Sequence, residues 1–117
     1  FALVYLATFY VEIGDYKQGL EFSQQALVKA QQVKNPQIEA MSLFLLGYIS
    51  FLKGEPQEAI KFTEQGLAIS QKSKMIWLEM LANGVLSIGH GELNNNQEAM
   101  KSAEAFLAIT RKAKSPK

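Results

Sequence analysis

The chain reads as all-α, a stack of three antiparallel helix hairpins, or α-solenoid. Three observations predict this. First, the 117-residue sequence repeats itself every 40 residues. Gly14-Asp15-Tyr16-Lys17-Gln18-Gly19-Leu20 aligns with Gly54-Glu55-Pro56-Gln57-Glu58-Ala59-Ile60, and both align with Asn94-Asn95-Asn96-Gln97-Glu98-Ala99-Met100. A fixed period in this range marks stacked units that bury their apolar faces only against neighbours. Second, the apolar residues between these turns recur at helical spacing. Third, small residues recur at fixed registers: Ala7, Gly47 and Ser87; Gly19, Ala59 and Ala99; Ala26 and Gly66. Facing helices sit about 8–10 Å apart depending on the side chains between them, so small residues mark the contacts.

The elements follow in order. The first helix covers about Phe1 to Ile13 and is stopped by Gly14, which can take left-handed backbone angles. Asp15 caps the second, with Gln18 three places on as the return partner of a capping box. That helix runs to about Val33. Asn35 caps the third, and Pro36 takes its first position, where a missing N–H costs nothing. It runs to Lys53, and Gly54 ends it. Pro56 starts the fourth, which reaches about Ser73. The fifth spans about Lys74 to His90, and its Gly89-His90-Gly91 end predicts fraying or a bend near Gly89. Asn95 and Glu98 form the cap pair of the sixth, which runs from about Asn96 to Lys112.

One domain, residues 1–117, fits this length, with units of about 1–34, 35–74 and 75–114. Lys34-Asn35-Pro36 aligns with Lys114-Ser115-Pro116, so Ser115 and Pro116 read as the start of a fourth unit. Phe1 aligns with Met41 and Leu81, inside the first helix of a unit. The chain therefore reads as a window from a longer array.

Composition narrows the function. A hydrophobic content of 48% with 20% charged residues is ordinary for a globular protein. A net charge of +1 gives no strong pull on nucleic acid or membrane. There is no cysteine, which fits a reducing compartment and makes the cytoplasm the expected location. The longest mostly apolar stretch, Met41 to Leu52, is shorter than the roughly 20 residues of a membrane span.

The pattern resembles the tetratricopeptide repeat family. Leu46, Gly47, Gly54, Ala59, Gly66 and Leu67 carry the resemblance in the middle unit, and Ala7, Gly14, Tyr16, Ala26 and Leu27 in the first. The third matches less fully, at Leu86, Ala99 and Leu107. The 40-residue period is longer than the usual 34 or so, as in longer variants of the family. Phe106 departs from it, standing where a small residue is expected. HEAT or armadillo-like pairs are the alternative fold, which the small-residue spacing disfavours.

The resemblance implies a right-handed superhelical stack with a concave groove, lined by the first helix of each unit, that receives a protein or peptide segment. Carried over, it gives Val4, Tyr5, Thr8 and Glu12 from unit one, Phe44, Tyr48 and Phe51 from unit two, and Val85 and Ile88 from unit three. Family members that grip a terminal carboxylate place Lys, Arg and Asn on this wall, and this chain does not. The groove would suit an amphipathic helix or an apolar peptide. The alternative is that these side chains are core, covered by flanking repeats.

Other features have structural readings. His90 is the only histidine and has no companion for a metal site or a catalytic triad, so it reads as solvated surface. Gly84, Gly89 and Gly91 fit no phosphate-loop spacing. Lys29, Lys34, Lys72, Lys74, Arg111, Lys112 and Lys114 lie near the ends of second helices, while Asp15, Glu58 and Glu98 lie near their starts, the polarity that the helix dipole favours. Trp77 is expected to seal the junction between units two and three, with an interface role as the alternative. No catalytic set stands out and no cofactor is implied. The expected function is a non-catalytic protein–protein or peptide interaction scaffold within a larger regulatory protein. The alternative is a sensor domain binding a small ligand or signal peptide, with Tyr5, Tyr48 and Thr8 as polar handles. Self-association through exposed repeat ends is a further expectation.

Overall fold

A computed structural model of the chain describes residues 2–114. The expectations placed on Phe1, Ser115 and Pro116 lie outside the described residues. Six helices follow in order: α1 (Ala2–Glu12), α2 (Tyr16–Gln32), α3 (Pro36–Leu52), α4 (Pro56–Lys72), α5 (Ile76–Glu92) and α6 (Asn96–Lys114).

All five turns between helices are built alike. Each contains one residue with positive φ: Gly14 (86°), Lys34 (57°), Gly54 (78°), Lys74 (57°) and Asn94 (61°). The next residue donates its N–H to the carbonyl five places back: Asp15 to Tyr10 (2.8 Å), Asn35 to Ala30 (2.9 Å), Glu55 to Ser50 (2.9 Å), Met75 to Ser70 (2.9 Å) and Asn95 to His90 (2.8 Å). This six-to-one bond, with a left-handed residue before the donor, is the Schellman closure, and it satisfies helix-end carbonyls. The left-handed residue thus recurs at half the sequence period, closing first and second helices by the same geometry.

These closures correct several expectations. Asp15 does cap α2, accepting from the Gln18 N–H at 3.2 Å. The Gln18 return bond is not made, because the Asp15 N–H already serves Tyr10. Asn35 caps α3 by accepting from the Ile38 N–H at 3.2 Å. The fifth helix starts at Ile76 rather than Lys74, since Lys74 takes the left-handed turn and Met75 flanks the helix. Asn95 turns its side chain to the His90 ring (Nδ2 to Nδ1, 3.4 Å) rather than forming the Glu98 pair. His90 is half-buried there rather than fully solvated. Helix α5 continues unbroken through Gly89, which is buried. A Cβ at Gly89 would stand 3.0 Å from Ile60 Cγ1, so this glycine serves close approach between α4 and α5.

Sequential helices pack pairwise, and α1 approaches α3 as α3 approaches α5. Among the described residues α2 does not approach α4, nor α4 α6, within the same distance. The first helices therefore form the inside of a curve and the second helices splay outside it, which is the geometry of a helical solenoid. Its radius of gyration of 14.3 Å exceeds the roughly 13.4 Å of a compact globule of this length.

The registers of small residues are where the helices meet. A Cβ at Gly47 would lie 2.8 Å from Thr63 Oγ1 and 3.1 Å from the Ala59 carbonyl oxygen, and one at Gly19 would lie 2.6 Å from Val11 Cγ2. At the equivalent place in the third hairpin, the Ser87 hydroxyl donates to the Ala99 carbonyl at 3.0 Å. Buried Ser23, Ser42, Thr63 and Ser70 each donate to the carbonyl four residues earlier, so polar groups are buried in these seams without being left unpaired. Phe106 is accommodated by an exchange. Gly84 stands opposite it, with a Cβ position 3.4 Å from its ring, while Phe44 lies against Gly66 in the second hairpin.

Candidate functional site

The inner wall consists of α1, α3 and α5, and its exposed side chains are mostly apolar. Helices with an apolar stripe normally bury it. Here three adjoining depressions remain open, and Tyr48, half exposed at 50%, borders all of them. The central one, about 260 Å³, runs across all three helices between Val4 and Thr8, Phe44 and Leu45, and Trp77 and Leu81. A second, about 130 Å³, lies between α3 and α5, with Phe51, Val85 and Ile88 on its sides and Ile60 and Gly89 beneath. The third lies between α1 and α3 and includes Glu12, Tyr16 and Leu52.

Eight of the nine residues expected on this wall border these depressions: Val4, Thr8, Glu12, Phe44, Tyr48, Phe51, Val85 and Ile88. Their exposure differs. Val4 is buried and forms floor, Phe44, Phe51 and Val85 are half-buried, and Ile88 is 58% exposed. Tyr5, 72% exposed, is not brought into the depressions. It shares the register of Leu45 and Val85, but among the described residues no helix precedes α1 to supply a facing wall. Thr8 is a weaker polar handle than expected, because its hydroxyl already donates to the Val4 carbonyl at 2.8 Å.

Trp77 corrects the expectation of a junction seal. It is 52% exposed on the wall of the central depression, whereas its neighbour Leu78 is fully buried in the junction. Trp77, Leu81, Val85 and Ile88 form one helical stripe, as do Met41, Leu45, Tyr48 and Leu52. Following those stripes a turn further toward the helix starts would have placed Trp77, Leu81 and Met41 on the wall.

Chemically, this surface can desolvate apolar side chains. A fully buried Leu, Ile, Phe or Met side chain contributes about 1.5–3 kcal/mol, and Trp and Tyr are the anchors most often found at interfaces. Among the described residues there is no group of three His, Cys, Asp or Glu side chains placed to hold a metal ion. No helix there is long and apolar enough to cross a membrane.

The family model of the tetratricopeptide repeat matches residues 1–72. The TPR domain of Arabidopsis FLU is similar in structure, with a TM-score of 0.89 at 22% identity over 95% of this chain and 93% of that one. Aspartyl phosphate phosphatase F from Bacillus subtilis is similar with a TM-score of 0.87 at 20% identity, over 92% of this chain and 28% of that one. Identities this low establish likeness of fold. No curated protein is significantly similar in sequence.

Proposed function

The chain belongs to the tetratricopeptide repeat family, and from that premise we propose that it holds an apolar or amphipathic helical segment of a protein partner against α1, α3 and α5. Tetratricopeptide repeats form scaffolds that bind protein or peptide partners. The observation that carries the placement is the pair of half-exposed aromatic side chains, Tyr48 and Trp77, standing over the central depression. Apolar residues on successive turns of a docked helix would seat in the adjoining depressions. The chain acts as a non-catalytic module in a larger, regulatory, cytoplasmic protein.

The sensor reading is less well supported. The two apolar depressions, about 130 and 260 Å³, are each smaller than the roughly 300–1,000 Å³ cavities that enclose small ligands, and the third, about 470 Å³, is an open cleft bordered by the exposed Glu12 carboxylate. Trp77, the only tryptophan, supplies the test. Its emission is followed while the chain is titrated with a synthetic amphipathic helix of about four turns. A saturable blue shift, lost in Tyr48→Glu at unchanged thermal stability, is expected. An emission spectrum indifferent to amphipathic helices of varied apolar stripe would remove the groove from consideration.

A further inference from the structure

Charge is segregated between the walls of the solenoid. The chain has 12 lysines and arginines, and none falls within Ala2–Glu12, Pro36–Leu52 or Ile76–Glu92. The charged residues of those three helices are Glu12, Glu39, Glu79 and Glu92, with His90 beside the last. Glu39 is turned toward α2, where its Oε2 accepts from Gln31 Nε2 at 3.4 Å. Glu12 borders the depression between α1 and α3. Glu92 has the same register on α5, and Leu52, which borders that depression too, has it on α3.

Glu12 and Glu92 are also the last residues of α1 and α5. A carboxylate there faces the negative end of the helix dipole, a placement that weakens a helix by a few tenths of a kilocalorie. Helix stability therefore does not account for them. Both are exposed. The bases that follow α1 and α3 most closely in sequence, Lys17 and Lys53, are exposed and lie outside the three inner helices.

We infer that the segment seated on this wall is a basic amphipathic helix. Its apolar stripe covers the trough at Tyr48 and Trp77, and its lysines or arginines meet the edge that carries Glu12 and Glu92. This rests on the groove reading above and adds the sign of the partner's charge. A helix with acidic flanks would bring like charges together, and a neutral one would leave both carboxylates partly desolvated without partners.

The test uses the full chain, Trp77 emission, and two synthetic helices with one apolar stripe, flanked by Lys and Arg in one and by Glu in the other. The basic helix is expected to bind at least about tenfold more tightly at about 50 mM salt, with the margin collapsing near 0.5 M. The Glu12→Gln/Glu92→Gln variant is expected to weaken the basic helix about threefold to tenfold. It should leave the melting temperature unchanged or slightly raised, since two unfavourable dipole contacts are removed, and bind the acidic helix no worse. Equal binding of both helices by the wild-type chain, or preference for the acidic one, overturns the inference and leaves the groove standing. Binding of neither overturns the groove reading and this inference together. A concentration-dependent dimer abolished by Tyr48→Glu would assign the wall to a second copy and overturn the inference.

Discussion

In the second hairpin the ring of Phe44, on α3, lies against Gly66 on α4. In the third, the ring of Phe106, on α6, lies against Gly84 on α5. The two pairs occupy the same two registers with large and small exchanged. The first hairpin carries Val4 and Ala26 at those registers, both buried. What recurs in the second and third hairpins is one large and one absent side chain facing across the seam, as close packing requires, and not the residue type at either position. Phe106 looks anomalous only when its helix is read alone.

The fit is tighter in the second pair. A Cβ at Gly66 would lie 2.5 Å from Phe44 Cε1, while one at Gly84 would lie 3.4 Å from the Phe106 ring. Gly66→Ala should therefore be the most damaging small substitution across this comparison. A loss of about 1–2 kcal/mol is expected in urea unfolding, the crowding outweighing the better helix propensity of alanine. Adding Phe44→Val, which copies the first hairpin's pairing, should recover about 1 kcal/mol as a favourable coupling in a double-mutant cycle. Strict additivity would show that the two positions do not share a seam.

Smaller effects sharpen the contrast. Ser87→Ala removes the hydroxyl bond to Ala99 and should cost about 0.5–1 kcal/mol, a bond that Gly47 cannot make at the same register in the second hairpin. Gly84→Ala should change stability by less than about 0.5 kcal/mol, because propensity gained offsets mild crowding. A loss at Gly84 as large as that at Gly66 would contradict the different clearances of the two seams.

The turns and seams were legible in the sequence because glycine, asparagine, proline and small residues carry local physical meaning there. Lys34 and Lys74 were harder. Lysine does not advertise positive φ, and only their spacing midway between Gly14, Gly54 and Asn94 marks them as the left-handed residues. Gln18 and Glu98 have the right spacing for return caps, but the backbone closure takes the N–H groups of Asp15 and Asn95. The weak helix propensity of Gly89 is legible in the sequence, whereas the room its missing side chain leaves for Ile60 is not. Most of the inner wall was found from register, yet register alone cannot tell Leu78 from Trp77. Which of two adjacent apolar residues is buried depends on where the neighbouring helix lies.

Amide chemical-shift mapping of the labelled chain with the basic amphipathic helix tests the inner-wall site most directly. The largest shifts are expected at Tyr48, Trp77, Val85 and Ile88, with Val28 and Ala68 on the second helices silent. Shifts gathered on α2 and α4 instead, with the inner helices unchanged, would contradict it.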